Sequence, residues 1–449
     1  MDKFINRITD VWDYPKLSIY RNEYNKNFLS YLEESPSNRE LRLYIHIPFC
    51  NSFCSFCQFY KERYPKKSEF LQRYFRAVFR ELEYYAQKPY IRNSIVTSIF
   101  MGGGDPSIIP TEIFEELMKR IHNLYNVSDD VSISVEGNVI NLLNRERLET
   151  YKKYNVSRIS FGVQTFDPEI RRKLLLKPTY EQICTLVKLI KEIKIKSFAF
   201  DLMYDLPEQT DEILSKDIEL AVDLESDYID FYSLNLYPNT KFYQDIYEKR
   251  KFLVKPSKER EYKQNILIQN KMKELRYKQV ISCTYSNKYE LPHPGLYHFL
   301  CNGNMLGIGP SARNYMEGHS HRNYCSINKY MEALENGQLP IETGMILNNE
   351  EICRRKLIFE INLLKISGDL IEPLEGASKV VDDLIKLGYI VREGRNYILT
   401  ESGRPWVGNI QKCFFSEREA KSDLVNFVKS VKEGRSAYNQ DFMSVKNTI

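Results

Sequence analysis

Leu43-Tyr44-Ile45-His46-Ile47-Pro48-Phe49-Cys50-Asn51-Ser52-Phe53-Cys54-Ser55-Phe56-Cys57 is the stretch on which the reading of this chain turns. The short apolar run Leu43–Ile47 predicts a strand, and Pro48, with no N–H to give to a ladder, ends it. Three thiols then fall within eight residues, spaced Cys-x3-Cys-x2-Cys. A loop at a C-terminal strand end can wrap three thiolates around one [4Fe–4S] cubane and leave the fourth iron without a protein ligand. The competing reading is a zinc knuckle. Zinc takes four ligands, usually as two separated pairs, and no fourth Cys or His follows closely, although His46 precedes.

Outward from that loop, short apolar runs alternate with amphipathic stretches. Strands are expected at Leu43–Ile47, Val96–Phe100, Val131–Val135, Arg158–Gly162, Ser197–Met203 and Tyr228–Ser233. Helices are expected at Ser68–Tyr85, Thr111–Leu124, Arg145–Tyr154, Tyr180–Ile193 and Thr210–Leu224. Strand–helix repeats of this kind demand parallel strands and right-handed crossovers. The strands read as apolar on both faces. The fold class is therefore α/β, a partial (β/α)6 barrel whose ligand site gathers at the C-terminal strand ends.

Four units are expected: an N-terminal extension over 1–40, the barrel over 41–250, an extension over 251–345 that covers the site, and a small helical domain over 346–449. Beyond the barrel, helices are expected near Pro256–Leu275, Ser326–Gly337 and Glu350–Ile361, with an irregular segment rich in Tyr, Gly and His over 277–325. The chain then reads helix Ser378–Leu387, strand Tyr389–Arg392, turn, strand Tyr397–Leu399, helix Ser402–Phe414, the order of a winged-helix-like unit.

A net charge of +4 is spread along the 449 residues, so nothing asks for a nucleic-acid partner. No apolar run approaches the roughly 18 residues of a membrane span, and the N-terminus is no signal peptide, so the expectation is a cytoplasmic protein without a membrane partner. Of nine cysteines, the six outside the loop are scattered singly, as reduced thiols are.

Met101-Gly102-Gly103-Gly104-Asp105-Pro106 ends the second strand. Without Cβ atoms the backbone can approach a ligand and offer it N–H groups, though such a run also serves as a simple tight turn. Glu136, Gln164 and Asp201 stand at or near successive strand ends. One such carboxylate is often only a helix cap, but a recurring set faces one mouth, where it can hold a ribose diol or an ammonium.

Leu43–Cys50, the glycine loop, Ile159–Phe166, Phe200–Pro207, Asn235–Thr240 and Leu306–Ala312 together resemble the oxygen-independent coproporphyrinogen III oxidase family of radical S-adenosylmethionine (SAM) proteins, in order, over residues 41–415. The resemblance implies cluster ligation by Cys50, Cys54 and Cys57, with SAM chelating the open iron and breaking down to a 5′-deoxyadenosyl radical. It implies Tyr44, Gly103, Glu136 and Asn235 around that SAM, and Phe56, Gly104, Asp105, Gln164 and Asp201 around a second SAM. Four departures matter. Phe59 stands where the oxidases carry a further cysteine, Asp105 where a Thr is usual, Asp205 where a Gly is usual, and Leu176, with Lys177 next, where an Arg helps hold SAM. Asp105 is then expected to pair with Lys177 or with a SAM ammonium.

The runs Cys54–Tyr60, Val135–Gly137, Phe231–Leu236 and Gly403–Trp406 are most similar to the anaerobic haem-degrading members. That implies methyl or methylene transfer from SAM to a tetrapyrrole such as haem, with flavodoxin or ferredoxin as electron donor. The alternatives are a decarboxylating oxidase, a natural-product methyltransferase or cyclopropanase, and a haem-binding chaperone. His293, His298, His319 and His321 are read either as exposed loop residues or as haem ligands or proton carriers.

Overall fold

The computed structural model describes residues 7, 10–11, 13–15, 21–57, 60–65, 67–236, 241–247, 249, 252–288 and 294–421. Six parallel strands form as expected, mostly longer than the apolar runs that announce them: β1 Glu40–Ile47, β2 Ile95–Gly103, β3 Val127–Gly137, β4 Val156–Gln164, β5 Ser197–Tyr204 and β6 Tyr228–Ser233. Helix α1, Arg21–Tyr31, precedes them. The crossovers carry α2 Ser68–Ala86, α3 Thr111–Leu124, α4 Arg145–Lys153, α5 Tyr180–Ile193 and α6 Asp211–Asp223. Local chemistry sets the ends. Thr179 and Gln182 close a capping box on α5, and Thr210 caps α6 through the Ile213 amide.

The sheet does not stop at six strands. After α7 (Lys258–Glu274), β7 (Lys278–Gln279) and β8 (Thr284–Ser286) add antiparallel strands beside β6. Helix α8 (Pro294–Leu300) leads into β9 (Asn304–Ile308), which returns to the opposite edge and pairs parallel with β1. Strands β10 (Arg313–Met316), β11 (His319–Asn323) and β12 (Ile341–Ile346), the last after helix α9 (Ile327–Glu335), continue antiparallel from it. The result is one open, mixed twelve-stranded sheet.

The expectation of an irregular segment over 277–325 is thus corrected, and the histidines with it. His298 and His321 are buried, and His319 is half-buried against Tyr31. His321 sits between the hydroxyls of Tyr24 at 2.8 Å and Tyr85 at 3.4 Å, and burial lowers it to about 3. His298 is held by Glu40 and the Asn304 carbonyl, so each buried histidine is satisfied by partners distant or polar and leaves no apolar signal; His293 lies outside the described residues.

Alternation along the strands gives the sheet two unlike faces. One face, with Leu43, Ile45, Ile99, Val135, Phe161 and Phe200, packs on the crossover helices in one continuous core. The other face lines the lumen and is polar, contrary to the expectation of strands apolar on both sides.

Helix α10 (Asn349–Glu360), β13 (Lys365–Ile366), α11 (Ala377–Lys386), the hairpin β14 (Ile390–Glu393) and β15 (Asn396–Leu399), and α12 (Val407–Cys413) build a second core around Leu357, Val381, Ile390 and Ile410. The expected last helix begins as a separate turn at Arg404–Trp406, since Pro405 has no amide for a helical bond. Residues near the N-terminus are tied here. Arg7 donates to the Pro405 carbonyl at 2.7 Å, Val11 N to Gln411 Oε1 at 2.6 Å, and the Tyr14 hydroxyl to Glu351 at 2.6 Å. No helix among the described residues is long and apolar enough to cross a membrane.

Candidate active site

The cluster loop leaves β1 at Pro48 and runs against the glycine loop that ends β2. Gly104 N donates to the Ile47 carbonyl at 2.8 Å and Asp105 N to the Phe49 carbonyl at 2.9 Å, while Gly103 N reaches Glu136 Oε2 at 3.4 Å. The Gly104 and Asp105 amides, expected to face a ligand, instead staple the two loops together, and that of Gly103 turns to Glu136. Glycine is required for that contact. A Cβ on Gly104 would lie 2.7 Å from the Phe49 carbonyl oxygen. At Gly103, where φ is +112°, a Cβ would strike the His46 ring at 2.6 Å.

Cys50, Cys54 and Cys57 are all free, partly exposed thiols on this loop. Burial, then Asp105 and Cys57, push Cys50 up to about 12; burial and Cys57 push Cys54 up to about 11. Left alone Cys50 and Cys54 remain thiols, and a bound cation supplies the charge that favours thiolates. Among the described residues no Cys, His, Asp or Glu set converges on a single metal ion. A cubane does not ask for that, because it takes one thiolate per iron and holds the sulfurs at separate corners. The donor chemistry fits a [4Fe–4S] cluster.

Glu136, at the end of β3, faces the mouth beside the glycine loop. Burial raises it to about 7, against the pull of Arg158, the Gly103 amide and Arg42. Asp201 on β5 is held well above the usual carboxylate range by burial, Asp230 and Glu136, and accepts no hydrogen bond from a described residue. Gln164 ends β4 with φ of 69°, in the left-handed region, and its amide folds back over Gly162. Tyr44 stacks on Phe100 with ring centroids 5.8 Å apart, its hydroxyl 2.9 Å from His46 Nδ1. Asn235 follows β6, just after Leu234 N bonds the Tyr204 carbonyl.

Asp105 corrects an expectation. Its carboxylate accepts from Ser107 N and Oγ, Asn138 N and, at 2.6 Å, Asn141 Nδ2. It forms no ion pair with Lys177, because these four donors already fill its lone pairs and the 3-10 turn at Pro106–Ile108 starts on them. Asn141 Oδ1 also accepts from Asn51 at 3.2 Å, so Asp105 braces the cluster loop from behind. Phe56 packs with Leu176, Leu174, Met203 and Leu236, an apolar wall where the resemblance implies a second SAM. Arg171 offers no replacement for the missing Arg, since its guanidinium is spent on the carbonyls of Val163, Thr165 and Pro178.

Lumen residues that sequence reasoning passed over are Arg42, Ser98, Phe100, Ser134, Arg158 and Asp230, and His46, weighed only as a zinc ligand, joins them. The signal was present in the pleat. Each stands an even number of places from Tyr44, Gly102, Glu136, Gly162 or Tyr232 on its own strand, and so shares its face.

The sequence model of the Radical SAM superfamily matches residues 44–221. The chain is 32% identical over 274 residues to the heme chaperone HemW of Buchnera aphidicola subsp. Schizaphis graminum, covering 61% of this chain and 69% of that one. It is 24% identical over 389 residues to the anaerobilin synthase of Escherichia coli O157:H7, covering 84% of each. The solved structure of coproporphyrinogen III oxidase (HemN) from Escherichia coli, a radical SAM enzyme, superposes with a TM-score of 0.74 over 87% of this chain and 93% of that one, at 23% identity. Members of this superfamily use a [4Fe–4S] cluster and SAM, the pair that the thiol loop and its mouth fit. The chain belongs to the radical SAM superfamily, within its oxygen-independent coproporphyrinogen III oxidase-like family.

Proposed function

We propose that this radical SAM enzyme acts on haem or a closely related tetrapyrrole and transfers to it a methyl or methylene group from a second SAM. The observation that carries the reading is the convergence of the thiol loop, the glycine loop, Glu136 and Asp201 on one mouth above a polar lumen. Cys50, Cys54 and Cys57 would hold the cluster, and cluster and SAM together supply a 5′-deoxyadenosyl radical. Glu136 offers an acceptor for a ribose diol or an ammonium of the first SAM, and Tyr44, Gly103 and Asn235 complete that side. Phe56, Gly104, Gln164 and Asp201 would line the second position, with Asp105 bracing it rather than touching ligand. Residues 251–345 serve as the extension that covers the site between the barrel, 41–250, and the small domain, 346–449; residues 1–40 precede them. A low-potential flavodoxin or ferredoxin would deliver the electron.

The likeness to anaerobilin synthase along most of both chains supports this reading. The 32% identity to a heme chaperone supports a second one, in which haem is bound and handed on. Anaerobic turnover with a chemical reductant, haem and methyl-labelled SAM separates them. The enzyme yields 5′-deoxyadenosine and S-adenosylhomocysteine together, with label in the tetrapyrrole. Haem binding without stoichiometric amounts of either product would replace the enzyme reading by the chaperone.

A further inference from the structure

Below the mouth, the lumen holds a buried positive charge that no ion pair among the described residues neutralises. Arg42, on β1 two residues before Tyr44, is only 7% exposed. Its guanidinium lies 5.0 Å from the ring centroid of Phe100 and 5.5 Å from that of Phe299 on α8. Nη1 donates to the Gly295 carbonyl at 3.3 Å, and Nε is buried with no acceptor. Ser98, its register partner on β2, is 1% exposed, and its Oγ is equally without a partner. Arg158 across the lumen differs. It donates to Ser134 Oγ at 3.2 Å and pairs with Asp230 at 3.5 Å.

An arginine cannot escape burial by shedding its proton, so a guanidinium that has no ion pair among the described residues calls for an anion in such a place. Glu136 acts on Arg42 electrostatically but makes no ion pair with it. We propose that Arg42 and Ser98 form an anion subsite in the lumen floor that takes a carboxylate of the substrate. This rests on the tetrapyrrole reading, which it deepens. At about 3.3 Å per residue, Arg42 stands roughly 7 Å deeper than Tyr44. A substrate whose reacting carbon lies at the mouth therefore reaches the subsite through an acid on a short flexible arm, such as a haem propionate. A guanidinium fork beside a hydroxyl suits a planar carboxylate, which accepts from both.

The test uses the anaerobic, cluster-loaded full chain and its Arg42→Met variant, which keeps side-chain bulk and removes the charge. Melting is measured without ligand, and binding is titrated with haem and with haem dimethyl ester. The subsite requires that Arg42→Met melt no lower than wild type, because it removes an unpaired buried charge. It requires haem binding to weaken about tenfold to a hundredfold. It also requires the ester to bind both proteins equally, as weakly as haem binds the variant. A clearly lower melting temperature would give Arg42 a packing role between two rings and overturn the subsite. Equal binding of haem and ester by both folded proteins would overturn it while leaving the tetrapyrrole reading intact. If haem binds neither protein, that reading fails, and propionate alone decides. A rise in melting temperature with propionate in wild type but not in Arg42→Met upholds the subsite, and no rise in either overturns it.

Discussion

The two faces of the same parallel strands obey opposite rules. On the helix side, Leu41, Leu43, Ile45 and Ile47 of β1 are fully buried, as are Ile133 and Val135 of β3 and Phe200 and Leu202 of β5. Each contributes in proportion to the apolar area it removes from water. On the lumen side, Arg42, Tyr44, His46, Ser98, Ser134, Glu136, Arg158, Asp201 and Asp230 are polar, and several of their buried atoms have no partner. A closed barrel of this kind fills its lumen with Val, Ile and Leu. Here the apolar burial lies on the helix face, and the lumen face keeps buried polar atoms without hydrogen-bond partners among the described residues. Parity along a strand divides what folds the protein from what it does.

Three substitutions probe that division. Gly103→Val has the largest effect, since it adds a side chain where φ is +112° and the His46 ring is in the way. SAM cleavage should fall to background, while the backbone strain costs the fold only about 1–3 kcal/mol. Chromatographic assay of 5′-deoxyadenosine alongside circular dichroism checks both, and normal cleavage would make the loop a mere turn. Phe161→Ala on the helix side should do the reverse. It should cost about 3–5 kcal/mol in urea unfolding and leave SAM cleavage per folded molecule nearly unchanged. Activity lost in step with stability would erase the distinction between the faces.

Glu136→Gln is the subtlest. A carboxyl raised in the folded state contributes fully below its ordinary 4.5 and loses that contribution as pH rises to about 7. Wild type should therefore lose stability across that window. The Gln variant should lose less, by on the order of 1–3 kcal/mol, as urea midpoints at pH 5 and pH 8 would show. Glu81, raised by burial to a similar value, leaves a residual slope in both. SAM cleavage by the variant should drop even as stability improves.

The helix-side face is what made the fold legible. Tyr228–Ser233, Thr111–Leu124 and Tyr180–Ile193 match their expected bounds because apolar periodicity marks them, with a capping box at the start of the last. Strands β10 and β11, reading Arg-Asn-Tyr-Met and His-Ser-His-Arg-Asn, carry no such mark. Their burial comes from partners hundreds of residues away, such as Tyr24 for His321. The thiol loop, the glycine loop and the mouth carboxylates were legible from composition and placement. Arg42 and Arg158 were not, because a charged residue in a strand reads as solvent-facing until the sheet is known to curve around it. Asp105 was legible as unusual but was given the wrong neighbours, since Asn138 and Asn141 come from the cap and body of the short helix Val139–Leu142 that follows β3.

The ties of Arg7, Val11 and Tyr14 to Pro405, Gln411 and Glu351 carry a consequence for how the molecule comes into being. The first two join residues 398 and 400 positions apart. At a synthesis rate of about 5–20 residues per second, the N-terminal segment waits roughly 20–80 s for those partners to emerge. During that interval the residues of β1 to β6 are all synthesised, Cys50, Cys54 and Cys57 among them. These long-range ties carry the greatest loop-closure cost and form last. The fold is thus fastened like a clasp, residues 7–14 meeting the small domain only once its residues have been made.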